Sequence, residues 1–342
     1  MAEKYFILQG KPGNVLIDKK DREILYELMC NARKSNAEIG RRVRLSKQSV
    51  INRIGRLEKE GVINGYAIGM GILFNLQDHH LYLKLKGKFD HKKILSKLSN
   101  IKEVSSMSFG FFSYDIKVNI VLSNSNKMNT IVNSVCAVFD DLVLHKESFS
   151  LVTPSYWFSL DYLIKNSEKR RISVNFRLPD KIKLDSKDIS IIKALFNSSR
   201  TKLIDLSNVL EISHDVINVR LKSLIKQGII SNPFPIIDFK ILGLFYADIL
   251  LSISGNLDEV ENILLRFGRE KYEVISVCRF VGNYDFCLSF VVDGLDVFGS
   301  LLSCLREYLG DHFRDYYVFV HEKDFVFRDN RKNAVDLLKS LN

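Results

Sequence analysis

Lys47, Gln48, Ser49 and Asn52 lie within six residues, and each side chain ends in a group that donates or accepts hydrogen bonds. Gln and Asn suit adenine, and Lys suits guanine or a phosphate. Arg41, Arg42 and Arg44 come just before them, and Arg53 and Arg56 just after. Cations placed around a base-reading set fix register on a phosphate backbone. Residues 17–69 hold twelve Lys/Arg against seven Asp/Glu, and the whole chain carries a net charge of +10. This balance hints at a polyanionic partner.

Side chains of this kind need a rigid element to present them. Apolar residues recur at helical spacing from Asp18 to Gly61: Ile24, Leu25 and Leu28, then Ile39 and Val43, then Val50, Ile54 and Leu57. Ser46 is a good N-cap for the third helix, and Gly61 supplies its stop. Three short helices followed by an extended segment predict a winged helix-turn-helix, with Ser46 to Asn52 opening its recognition helix.

The module occurs twice. Fifty residues from Ile17 return at a spacing of 167 without a gap, so that Arg33, Ser46, Arg53 and Leu57 reappear as Arg200, Ser213, Arg220 and Leu224. After each copy the pattern changes to alternating strands and helices in the order βαββαβ. That order predicts an α+β ferredoxin-like sandwich with helices on one face of an antiparallel sheet. The expected division is an arm at 1–16 with a strand at Tyr5–Leu8 closed by Lys11-Pro12-Gly13, a first winged helix-turn-helix at 17–77 and a first sandwich at 78–152. A linker follows at 153–183 with a helix near Tyr156–Leu163, then a second winged helix-turn-helix at 184–243, a second sandwich at 244–322, and a tail at 323–342 ending in a short helix.

The five cysteines form no CxxC pair, so neither a disulfide framework nor a metal site is expected. No Gly-rich phosphate loop, HExxH or GxSxG is present, so no catalytic residue and no cofactor is assigned. The N-terminus lacks the apolar stretch of a signal peptide, and no run approaches the ~18 apolar residues of a membrane span. A soluble cytoplasmic protein without a membrane partner is the expectation.

Asp18 and Asp21, Ile24-Leu25, Arg33, Ala37–Ile39, Leu45-Ser46, Val50, Arg53, Leu57 and Glu60-Gly61-Val62-Ile63 with Gly65-Tyr66 together resemble the Lrp/AsnC (feast/famine) family of transcription regulators. The resemblance covers that family's whole DNA-binding domain. Gly110 with Tyr114-Asp115, and Gly282 with Tyr284-Asp285, resemble the Gly-x-Tyr-Asp turn of its ligand-sensing (RAM-type) domain. It implies a nucleoid-associated regulator that binds double-stranded DNA and is tuned by an amino acid or other small effector at those six residues. Each sandwich glycine is read as making a tight turn. Since separate polypeptides normally supply the halves, two copies in one chain imply a fused pseudo-dimer with room for further self-association.

The copies are unequal. Arg41, Arg42, Arg44, Lys47 and Gln48 become Asn208, Val209, Glu211, His214 and Asp215, and residues 184–236 hold only seven Lys/Arg against five Asp/Glu. The expectation is an asymmetric binder in which the first module dominates. Three rivals stand beside it. Phe109–Tyr114 echoes the aromatic signature of RNA-recognition motifs. Siroheme decarboxylases resemble the same family, and His79, His80, His91, His145, His312 and His321 would be the residues of interest. An architectural chromatin role is the third.

Overall fold

The computed structural model describes residues 5–7, 13, 15–69, 77–122, 124–158, 160–164, 172–175, 184–197 and 199–327. The first half opens with strand β1 (Tyr5–Ile7) and helices α1 (Lys19–Cys30), α2 (Asn36–Val43) and α3 (Lys47–Lys59), followed by β2 (Ile63–Ala67). Ile24, Leu25, Leu28, Ile39, Val43, Val50, Ile54 and Leu57 form one buried cluster, as their spacing predicts. Each such side chain contributes about 1.5–3 kcal/mol when fully buried. The Asp18 carboxylate accepts from the Asp21 N–H and Asp21 returns the bond, a reciprocal cap on α1. Gly61 takes φ +77° where α3 ends.

The first sandwich is β3 (Gln77–Leu85), α4 (His91–Leu98), β4 (Val104–Phe112), β5 (Ile116–Leu122), α5 (Met128–Ala137) and β6 (Val143–Phe158). The second half repeats the order: β7 (Ile172–Asn175), α6 (Ser186–Asn197), α7 (Leu203–Leu210), α8 (His214–Lys226), β8 (Phe234–Ile237), β9 (Phe245–Ile253), α9 (Leu257–Glu270), β10 (Val274–Val281), β11 (Phe286–Val292), α10 (Leu295–Leu309) and β12 (Phe313–Phe327).

The two sandwiches join edge to edge. β4 pairs with β12, β6 pairs with β10, and within the second half β12 also pairs with β9. The order β12-β4-β5-β3-β6-β10-β11-β9 therefore closes on itself as an antiparallel ring of eight strands. β1 extends β12, and its repeat mate β7 extends β6.

The helix-turn-helix modules are crossed over this ring. The first module's core takes in Ile275 and Val291 of the second sandwich, while the second module's core takes in Val121 of the first. The wing strands β2 and β8 pair with each other.

Inside the ring lies a buried ionic network. Lys117 donates to Asp248 at 2.7 Å, His321 bridges Asp248 (3.1 Å) and Asp324 (2.7 Å), and the Ser289 hydroxyl donates to Asp248 at 2.7 Å. Burial alone lowers the His321 imidazole, but Asp324 and Asp248 outweigh it and push it up to about 9. The strand registers make His80 the counterpart of Asp248 and Cys287 the counterpart of Lys117. The network has no mirror copy.

Three expectations are corrected. Tyr156–Phe158 continues β6, because Tyr156 and Trp157 pair with Val277 and Ser276 across the molecule. Only a single 3-10 turn, Asp161–Leu163, follows. Lys323–Phe327 continues β12 and is not part of a tail. Gly110 does not make a turn: it lies within β4 opposite His321, and the reversal falls at Phe112, φ +81°. A Cβ at Gly110 would stand 2.4 Å from the Phe319 ring, so the glycine permits the close approach of β12. The strand foreseen at Tyr5–Leu8 is present at Tyr5–Ile7, whereas Lys11, Pro12, most of the connector and the helix expected after residue 327 lie outside the described residues. No helix among the described residues is long and apolar enough to cross a membrane.

Candidate nucleic-acid interface

α2 and α3 meet through Arg44, whose backbone is left-handed at φ +57°, and Ser46 caps α3 by accepting from the Ser49 N–H at 3.1 Å. Gly40 lets this turn close, since a Cβ there would lie 2.5 Å from the Leu45 carbonyl oxygen. The result presents Arg41, Arg42, Arg44, Ser46, Lys47, Gln48 and Asn52 to solvent, with Ser49 half-buried. Gln48 donates to Asn52 at 2.9 Å, so the two amides form one hydrogen-bonding edge. No described acidic residue forms an ion pair with Arg41, Arg44 or Lys47, whereas Arg42 is held loosely by Glu27 and Glu38 at 3.6 and 3.5 Å. Three unneutralised cations flanking an amide pair can take phosphates on either side of a base edge.

Arg53 and Arg56 are differently placed. Arg53 donates to Asp18 and to buried Asp21, both at 2.7 Å, and Arg56 also bonds Asp21. These bonds fasten α3 to the start of α1, and the Asp21 N–H, with Arg53 behind it, holds the Asp18 carboxyl below its usual range. In the second copy Arg220 makes the same pair with Asp185 and Asp188, at 2.8 and 2.9 Å. Sequence reasoning placed Arg53 on the nucleic acid. The signal pointing elsewhere was that Asp-x-x-Asp and this Arg are kept in both copies.

Sequence reasoning also missed a staple. Arg33 donates to the carbonyls of Ser199 (2.9 Å) and Thr201 (2.7 Å), and its repeat mate Arg200 donates to the Ala32 carbonyl (3.0 Å) and the Tyr66 hydroxyl (2.9 Å). Reciprocal bonds between equivalent residues give the two modules a pseudo-two-fold relation. Charge-assisted hydrogen bonds of this kind contribute about 1.5–3 kcal/mol.

The second recognition face has another chemistry. Ile204, Val209 and Val219 are exposed at 60, 76 and 67%, beside exposed Asp205, Glu211 and Asp215. No side-chain bond caps α8 at Ser213.

The six effector residues fall at the junction of the sandwiches. The Asp115 carboxylate accepts from the Leu85 N–H (2.8 Å) and from Lys84 (3.2 Å), and that of Asp285 accepts from the Ile253 N–H (2.8 Å). Both aspartates therefore tie a hairpin to its neighbouring strand. Tyr114 and Tyr284 are buried with their hydroxyls 3.4 Å apart, and burial pushes the Tyr114 phenol up to about 12. Gly282 packs where a Cβ would lie 2.7 Å from Phe149.

Residues 17–64 match the winged helix-turn-helix DNA-binding family. The proline dehydrogenase transcriptional activator of Rhodobacter capsulatus is 36% identical over 114 residues, which span 30% of this chain and 71% of that protein. The chain belongs to the Lrp/AsnC family of transcription regulators. A second Lrp/AsnC relative, the leucine-responsive regulatory protein of Escherichia coli K12, is 46% identical over 56 residues, 16% of this chain and 34% of that protein. Among solved structures, the siroheme decarboxylase NirDL superposes over 94% of this chain and 99% of its own with a TM-score of 0.56 at 11% identity. At that identity the likeness is one of fold.

Proposed function

We propose that the protein is a DNA-binding transcription regulator in which one chain supplies both halves of an Lrp/AsnC-type dimer and the first module dominates affinity. The observation that carries this reading is the exposed set Arg41, Arg44, Lys47, Gln48 and Asn52 around a capped recognition helix, where the sister module presents Asn208, Glu211, His214, Asp215 and Val219 at the matching positions. Lys47, Gln48 and Asn52 read base edges, and the arginines hold the duplex in register. Arg53 and Arg56 act by fixing α3. Sequencing the fragments retained from a random duplex library tests the proposal: one enriched half-site is expected. Two equal half-sites would remove the asymmetry, and no enrichment over input would remove specific reading.

The effector reading shifts from the aspartates, whose oxygens already accept from strand N–H groups and Lys84, to the Tyr114–Tyr284 junction. An amino acid that raises the melting temperature of wild type but not of Tyr284→Phe supports it; no shift with any of the twenty removes it.

A second reading, an enzyme on the same fold, is favoured only by the full-length likeness to the siroheme decarboxylase. His321 is locked between two carboxylates, His79 bonds Ser150, His145 bonds Glu147 and His312 bonds the Ser254 carbonyl. His91 stacks on Phe109 and His80 packs on Phe280. Turnover of siroheme by the purified protein would replace the regulator reading with this one.

A further inference from the structure

The charge asymmetry does not stop at the helix-turn-helix modules. Residues 84–102, which run from the end of β3 through α4 to the start of β4, hold seven lysines and one acid. The equivalent stretch of the second half, 252–272, holds three Lys/Arg and four acids. Two of the lysines are tied, Lys84 to Asp115 and Lys86 to Asp141. Lys88, Lys92, Lys93 and Lys102 are exposed, Lys97 is half-exposed, and no described acidic side chain pairs with any of the five.

Lys92 and Lys93 stand in the first turn of α4, after the N-cap Asp90, whose carboxylate accepts from both of their N–H groups. Positive charge there opposes the helix dipole, which favours acids at this end by about 0.3–1 kcal/mol each. The sister helix follows that preference: after its N-cap Asn256 the same two positions are Asp258 and Glu259. The first half thus keeps two cations where helix stability alone selects against them. Lys93 and Lys97 then share a face at i, i+4, opposite buried Ile94, Leu95 and Leu98.

Topology sets the direction of the row. The start of β3 pairs with the end of β5, beside Val121, which packs into the second helix-turn-helix core. β3 leads away from that end and α4 leads back. Lys102 therefore lies near the helix-turn-helix end, and Lys88, Lys92 and Lys93 lie further down the side of the first sandwich. The row thus begins beside the second, acidic module, whose core takes in Val121 of the same sandwich.

We propose that Lys88, Lys92, Lys93, Lys97 and Lys102 form a second, sequence-independent contact for the phosphate backbone of duplex DNA flanking the site read by the first module. This deepens the function proposed above and rests on it. Neutralising each phosphate changes the slope of log K against log salt by about 0.9, so the row should be visible as a salt effect that depends on duplex length.

The test uses the full chain with two duplexes built around one sequence retained by the protein, about 12 and about 40 base pairs long. The comparison is between wild type and the variant Lys88→Glu/Lys92→Glu/Lys93→Glu/Lys102→Glu. Acids at the start of α4 are what the sister helix already carries, so folding is preserved. The expected result is a salt slope on the long duplex shallower by about 2–4 in the variant, with both proteins alike on the short duplex. An unchanged slope on the long duplex overturns the proposal. So does a variant that keeps its slope but loses self-association in sedimentation without DNA, since the row would then belong to the acidic α9 face of a second copy. A wild type that ignores the short duplex removes the function proposed above, and this contact with it.

Discussion

The two helix-turn-helix modules share a backbone and differ in what they show to solvent. Asp18, Asp21, Arg33 and Arg53 have counterparts Asp185, Asp188, Arg200 and Arg220, and every one of these residues fastens a helix or joins the modules. Arg41, Arg44, Lys47 and Gln48 have become Asn208, Glu211, His214 and Asp215, and all eight are exposed. What the two copies keep is architecture; what they have let drift is surface. The comparison teaches that a charged residue in a DNA-reading fold need not face DNA: Arg53 lies one turn from Ser49 yet serves as an internal tie.

The largest effect expected from this contrast comes from charge reversal on the first face. Arg41→Glu/Arg44→Glu should weaken duplex binding about 100-fold near 0.1 M salt and flatten the salt slope by about 2, while Lys222→Glu changes affinity less than about twofold. Fluorescence anisotropy over a salt series measures both, and equal losses would abolish the asymmetry. Removing the staple is next. Arg33→Ala and Arg200→Ala should each cost about 2 kcal/mol in denaturant unfolding, because both leave bonded carbonyls without their donor. A loss confined to one of them would mean that the modules are not held reciprocally.

Converting the second face sharpens the contrast from the other side. Val209→Arg/Glu211→Arg/Asp215→Gln restores the first module's residue types. It should add a second half-site to the footprint and tighten binding to a paired site by about tenfold, roughly one good base contact. An unchanged footprint would show that more than surface chemistry separates the copies. The smallest effect concerns the caps. Ser46→Ala should cost about 1 kcal/mol, whereas Ser213→Ala, which loses no side-chain cap bond, should be almost silent in the same melt.

Much of this was legible in the amino-acid order because it is local. The helical spacing of Ile24 to Leu57, the cap at Ser46 and the alternation of the strands depend on neighbours a few residues away. The features that were not legible depend on partners far along the chain. Tyr156–Phe158 reads as helical by itself and is drawn into β6 by β10, more than a hundred residues later. Gly110 looked like a turn residue because the Phe319 ring it accommodates comes from the other half. The exposed recognition set followed from helix phase. The role of Arg53 required knowing that α1 and α3 bring residues 18, 21 and 53 together.

The ionic bond inside the ring joins the halves as a lock joins a key. Lys117 belongs to the first sandwich, while Asp248, His321 and Asp324 all belong to the second. Were two first sandwiches to mate, each Lys117 would face His80, leaving two dry ammonium groups without a carboxylate. Two second sandwiches would confront Asp248 with Cys287. Removing one partner of a buried pair costs about 3–5 kcal/mol, so a union of two first sandwiches carries that penalty twice, whereas in a union of two second sandwiches Asp248 loses Lys117 but keeps His321 of its own half. The mixed pairing is the one that gives Lys117 a carboxylate, and a chain carrying one half of each kind supplies it internally.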